Sequence, residues 1–296
     1  MNFRFKVFLQ TIFGIFPNSE SINYFAQKHI TKSLPINKDV FLQKQREALT
    51  QHEIFGMYGQ RDGAVVYEIG CGWHLATALV LGSYKCYSKI IALDIIDHVR
   101  VELVNANLHH LRDDGSLPPD FADFTNKKDL RERLLSQLNI DLVAPRDAVN
   151  TEMPDNSVDF IYSLLVFEHI SPEVIPLIMK ESFRILKPQG FISLTIHYSD
   201  HYYTVDKSIT EYNFLKYSEK EWKKYNPKLH YVNRLRHSDF MSVFRELGFE
   251  VIEEITDRHE NWEEIFKDFP FSDEFTKKYT PDDLSITSAY IVLKKT

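Results

Sequence analysis

Between Ala64 and Tyr198 the chain returns five times to a short apolar run: AVVYEIG, KIIALDI, IDLVA, VDFIYSLLV and GFISLTIHY. Stretches long enough for a helix separate most of them. A strand with one wet face alternates polar and apolar residues. Runs that are apolar almost throughout belong to strands buried on both faces, the condition of a parallel sheet covered by helices on each side. The expected fold is therefore α/β and doubly wound. Two later segments, FEVIEEI and SITSAYIVLKK, also read as strands and would close the sheet.

The rest of the chain is organised around this sheet. Residues 1–60 show helix-like apolar spacing, broken at Pro17, Pro35 and Gly56, and are expected to form a helical N-terminal extension to a domain spanning 61–296. Two insertions are expected. One, at about 95–140, carries the turn-rich DDGSLPPD and the charged KKDLRERLLSQL, with one or two extra helices. The other, at about 198–238, is rich in Tyr, Lys and His and precedes a helix, DFMSVFRELGF, that ends at Gly248.

Charge narrows the partners. A net charge of -7 argues against affinity built on neutralised phosphates, so no nucleic-acid partner is expected. The two cysteines, Cys71 and Cys86, lack zinc-ligand spacing, and a reducing cytoplasm fits them. The apolar crowding of Phe3, Phe5, Val7, Phe8, Ile12 and Phe16 is too short to span a bilayer and is interrupted by Arg4, Lys6 and Gln10. It is expected to pack on the domain; the alternative is a helix of residues 1–16 lying on a membrane surface, with the protein peripheral to it.

The first run ends in Glu68, Ile69, Gly70, Cys71 and Gly72. Glycines at the carboxyl end of a parallel strand permit a tight turn and close approach of the backbone to a ligand. A dinucleotide fingerprint would place a third glycine at position 75, which is Leu75, so the pyrophosphate reading loses support. The second run ends in Asp94, where a carboxylate can accept hydrogen bonds from both hydroxyls of a ribose. Loop and acid together indicate a nucleoside-containing ligand.

The order of motifs downstream resembles that of the class I (Rossmann-like) S-adenosylmethionine-dependent methyltransferases, especially their bacterial small-molecule branch. VVYEIGCG, LDII, RDAVNTEMPDNSVDFIYSLLVFEHI and ESFRILKPQGF carry the likeness, from about Val65 to Gly190. A weaker likeness, at NRLRHSDF and around Trp73, is to surface-polysaccharide methyltransferases. The resemblance implies S-adenosylmethionine as cofactor. Glu68 would contact the methionine end, Asp94 the ribose, Asp147 and Ala148 the adenine, and Ser163 and Leu164 would line the site. It also implies a seven-stranded, mostly parallel sheet with helices on both faces and a final reversed strand beside the fifth. The chain departs from the family at His74, where a third glycine is common, and at Gln189, where a Gly-Gly pair is.

Methyl transfer from a sulfonium is an in-line displacement, so an alcohol acceptor must be held near the methyl and lose its proton. His197, at the end of the fifth run, is the leading candidate base, with Asp200 or His201 in support and His169 as a further candidate. His197 and His201 share a spacing seen in metal sites, but no helix is expected across them and no metal is expected. Between Lys216 and His237, seven Lys and Arg face two Glu, and Arg234, Arg236 and Tyr202 are the candidate contacts to an anionic or sugar acceptor. The expected activity is methylation of a small-molecule or glycan hydroxyl. The rivals are a lipid or quinone acceptor at a membrane, a binding protein without turnover, and a nicotinamide-dependent oxidoreductase.

Overall fold

Neighbouring residues of the first strand enter different apolar cores. In β1 (Val65–Ile69), Val66 joins one cluster of buried side chains, while Tyr67 and Ile69 join another. This division follows from the two-residue side-chain period of a strand and explains why the run is apolar almost throughout. The computed structural model describes residues 2–15, 24, 34 and 37–296.

Seven strands form one sheet: β1, β2 (Lys89–Leu93), β3 (Ile140–Val143), β4 (Val158–Leu164), β5 (Leu186–His197), β6 (Phe249–Arg258) and β7 (Ile286–Lys295), in the order β3-β2-β1-β4-β5-β7-β6. All pairs from β3 to β5 are parallel. β7 runs antiparallel between β5 and β6, so the reversed strand lies beside the fifth as expected. β5 begins at Leu186 rather than at Gly190, with a register irregularity between Val158 and Phe160 and Gln189 at φ +67°.

On the first face lie α1 excepted, all the earlier helices. α2 (Lys38–Tyr58) buries Phe41, Ala48, Ile54 and Phe55, and the Phe55 ring stacks on Phe160 of β4 at 4.6 Å. α3 (Ala76–Ser83), α4 (Val101–Asp113) and α5 (Lys127–Leu138) complete that cluster, α5 through Leu130, Leu134 and Leu138 at steps of four. The opposite face is covered by α6 (Ile175–Ile185), which turns Ile175, Ile178, Met179 and Ile185 inward, and α7 (His237–Glu246), which adds Phe240, Met241 and Phe244. The breaks expected at Pro17 and Pro35 lie outside the described residues. The break expected at Gly56 does not occur, since α2 continues through it to Tyr58.

A third cluster sits apart from the sheet. Here α1 (Phe3–Ile15) packs Phe3 and Val7 against Tyr202, Tyr212, Phe214 and Trp222 of the 198–238 segment, and against Phe275 and Leu284. The Phe3 amide donates to Asp206 Oδ2 at 2.8 Å. Phe5 and Phe8 point away, 55% and 58% exposed. No helix of the described residues is long and apolar enough to cross a membrane.

Arg236 ties this third cluster to the sheet. It is fully buried, and its guanidinium donates to the carbonyls of Tyr198 (2.8 Å), Leu284 (3.1 Å) and Ile286. Each buried carbonyl left without a donor costs about 1–3 kcal/mol. Arg236→Met should therefore lower unfolding stability by roughly 3 kcal/mol, read from the urea midpoint at unchanged m-value. A loss below about 0.5 kcal/mol would show that the three bonds add nothing net.

Candidate functional site

At the carboxyl edge of the parallel strands the turns after β1, β2 and β4 enclose a cavity of about 860 Å³. The turn after β1 is stitched to its neighbour. The Gly70 and Cys71 amides donate to the Leu93 carbonyl at 2.9 and 3.0 Å, and the Gly72 amide donates to Asp94 Oδ2 at 3.0 Å. Gly70 and Gly72 have φ of +81° and +67°, a region that L side chains rarely enter. Leu75 sits at φ +53° without being glycine and is packed in the first core. The departure at His74 has a local role: its Nδ1 accepts from the Ala76 amide at 3.1 Å, capping α3, and burial pushes its pKa down to about 4. It therefore stays neutral at the start of the helix.

Glu68 lies on the cavity wall. Burial pushes its carboxyl up to about 8, against which the Tyr162 hydroxyl and the charge of Lys44 act more weakly. Its Oε2 has no hydrogen-bond partner among the described residues. An unpartnered buried carboxylate oxygen beside a glycine turn fits the ammonium group of a methionine moiety. Asp94, Asp147, Ala148 and Leu164 line the same cavity. The Asp147 turn is braced from α6, where Glu181 accepts from the Thr151 amide (2.9 Å) and hydroxyl (2.6 Å), and Arg184 holds the Glu181 carboxyl down to about 2. Ser163 is turned elsewhere, donating to the Ile69 carbonyl at 3.0 Å, and does not line the cavity.

The other end of the cavity is rimmed by imidazoles. His169, in the turn Phe167–His169 after β4, and His230 line it. His201 stands between them, with ring centroids 5.1 Å from His169 and 5.9 Å from His230, and His197 is 6.2 Å from His201. Asn233 fixes this arrangement. Its amide donates to the Glu168 carbonyl at 2.7 Å, and its side chain donates to the Phe167 and Ile170 carbonyls at 2.7 and 2.8 Å.

Several expected contacts are corrected by this geometry. Arg236 spends its guanidinium on backbone carbonyls, as described above. Arg234 donates to the carbonyls of Phe214 and Tyr217 and pairs with Glu219, facing the third cluster. Tyr202 is buried there too, its hydroxyl donating to Gln10 and to the Tyr225 carbonyl at 3.1 Å each. None of the three reaches the cavity. Asp200 accepts from the Tyr202 amide and from Asn213, both at 2.8 Å, so it caps a turn and does not orient His197 or His201. His197 is not on the cavity wall, and neither is His201, the ring 6.2 Å from it.

Two further wall residues, Lys44 and His230, were not singled out by the sequence. Lys44 enters from α2, and His230 and Tyr231 from the basic segment; their approach depends on chain reversals far along the sequence. Trp73, stacked on His98 at 4.7 Å, also faces the cavity.

The two glycines separate backbone strain from collision. A Cβ on Gly70 would meet Val166 Cγ2 at 2.6 Å, whereas one on Gly72 would meet nothing within 4 Å. Gly72→Ala should cost about 1–2 kcal/mol for its left-handed backbone alone. Gly70→Ala should cost more, by about 1–3 kcal/mol of overpacking, in urea unfolding of both variants. Equal losses would refute the role of Val166.

A family model for the methyltransferase domain matches residues 42–254, which takes in α2 from residue 42 onward, the cavity turns and both ends of the site. No curated protein matches the chain. Among solved structures, the chain is similar to an S-adenosylmethionine-dependent methyltransferase from Methanosarcina mazei, at 18% identity over 82% of this chain and 96% of that one, TM-score 0.46. It is similar to one from Aquifex aeolicus, at 13% identity over 83% and 89%, TM-score 0.41. A third likeness is to phosphoethanolamine N-methyltransferase 2 of Haemonchus contortus, solved with phosphomonomethylethanolamine and S-adenosylhomocysteine, at 16% identity over 84% and 53%, TM-score 0.46. With the family model covering residues 42–254 of its 296, the chain belongs to the methyltransferase-domain family and is an S-adenosylmethionine-dependent enzyme.

Proposed function

We propose that this enzyme methylates a hydroxyl of a glycan, nucleotide sugar or glycolipid of the kind handled by the surface-polysaccharide branch. The observation that carries the reading is one cavity with two chemically different ends. Glu68 and Asp94 flank the glycine turn at one end, and imidazoles rim the other. In this reading Glu68 takes the methionine ammonium, Asp94 the ribose, and Asp147 with Ala148 the adenine. The bound cofactor supplies an electrophilic methyl on a sulfonium. The residues of the chain hold the acceptor oxygen in line with it and keep bulk water out. Held by Glu68, Asp94, Asp147 and Ala148, the cofactor would give its methyl to the acceptor oxygen and leave as the thioether, and the hydroxyl proton would be lost at the imidazole end of the cavity.

Trp73, His98 and Tyr231 on the wall suit the apolar face of a sugar ring. With Arg234 and Arg236 committed to carbonyls, the charge for an anionic acceptor falls to Lys44 and Lys228, which line the cavity.

The cofactor end has a pH signature. Free Glu68 holds its proton up to about pH 8, while a bound ammonium favours the carboxylate. S-adenosylhomocysteine affinity should therefore rise with pH toward 8 and level off above it. At neutral pH, calorimetric titrations in buffers of different ionisation enthalpy should report close to one proton released. Glu68→Gln should abolish that release. Asp94→Ala, which removes two charge-assisted bonds worth about 1.5–3 kcal/mol each, should weaken binding at least tenfold. Wild-type protein that binds no S-adenosylhomocysteine would overturn the assignment.

A lipid or quinone acceptor is the second reading, favoured by Phe5 and Phe8 standing exposed next to Arg4 on α1. Flotation with anionic liposomes should then carry the full chain but not Phe5→Ser/Phe8→Ser. Equal flotation of both, or of neither, removes this reading.

A further inference from the structure

We propose that Glu168, His169 and His201 form a binding site for a first-row divalent transition-metal cation at the turn after β4, where His169 brings it to the cavity wall. One donor atom from each residue lies within 4.8 Å of the other two. A cation about 2.1 Å from each donor needs them roughly 3–4 Å apart, so side-chain torsions that draw them in by about 1 Å complete the site.

The state of each donor favours a cation over a protein partner. Glu168 is 1% exposed, yet neither carboxylate oxygen has a hydrogen-bond partner among the described residues. The amides of Glu168 itself and of His197 face that carboxylate without forming a full bond. A buried carboxylate in this condition lacks a counter-charge. The His169 Nδ1–H donates to the Tyr231 carbonyl at 2.7 Å, which leaves the Nε2 lone pair as the free ligand atom. Metal-bound histidines are commonly held by such a bond from the other ring nitrogen. The His201 Nε2 is buried and also has no partner among the described residues.

Two imidazoles with one carboxylate suit Zn²⁺, Co²⁺, Fe²⁺ or Mn²⁺ better than Mg²⁺. Three protein donors also leave positions open for an oxygen from outside. On the methyl-transfer reading, on which only this role rests, that oxygen is the acceptor hydroxyl. The cation ligates it and lowers its pKa, so its proton passes to solvent before the oxygen meets the methyl.

The test is titration of the full chain, stripped with a chelator, with Co²⁺ followed by visible absorption, and with Zn²⁺ and Mg²⁺ as competitors. One equivalent of Co²⁺ should bind with d–d bands, displaced by Zn²⁺ and far less by Mg²⁺. Glu168→Gln and His201→Ala should each weaken binding at least tenfold while keeping wild-type S-adenosylhomocysteine affinity. Should His201→Ala fail to fold, the isosteric Glu168→Gln carries the comparison. No saturable Co²⁺ uptake by the wild type, or equal uptake by wild type and folded variants, overturns the site. Co²⁺ binding without S-adenosylhomocysteine binding would uphold the site and overturn only the role given to it.

Discussion

Parallel pairing of β1 with β2 on one side and β4 on the other is the constraint from which the rest of the molecule follows. It sets three chain reversals side by side at one edge and obliges each to leave its strand in the same direction. The backbone groups stranded there must be satisfied locally. The Leu93 carbonyl accepts two amides from the Gly70 turn, and the Asp94 carbonyl accepts the Arg146 amide. The cavity is the space between reversals that cannot close on one another. Its cofactor end is therefore built from backbone and short polar side chains, whose positions the sheet dictates.

The acceptor end obeys a different logic. Nothing in the sheet requires His230 or Tyr231 to approach Glu168. Asn233 does so with three hydrogen bonds to the turn after β4, and Arg234 and Arg236 then fasten the flanking chain to the interior. Arg234 and Arg236 thus act as internal struts, and the polar chemistry at the cavity passes to Lys228 and His230.

This contrast explains what could be read from the sequence. The strands and the glycine turn were legible because their signals are local: apolar runs for Val65–Ile69 and Val158–Leu164, and small residues where φ turns positive at Gly70 and Gly72. The reversed β7 was legible through the family likeness, since antiparallel placement leaves no mark in composition. Arg234, Arg236 and Tyr202 were misread because a guanidinium or phenol looks the same in sequence whether it meets a substrate or a buried carbonyl. The partners that decide it, such as the carbonyls of Leu284 and Ile286, lie about fifty residues away. That Glu168 lacks a partner could not be read either, because a carboxylate's want of a partner is a property of packing.

The third cluster joins residues 3–7, 202–222 and 275–284 in one small core. Contacts so distant along the chain are entropically expensive to close and tend to form late. During synthesis the five parallel strands and their glycine turn can be assembled while this cap still lacks its last third. The nucleoside pocket would then form before the 202–222 segment beside the acceptor end is locked in place.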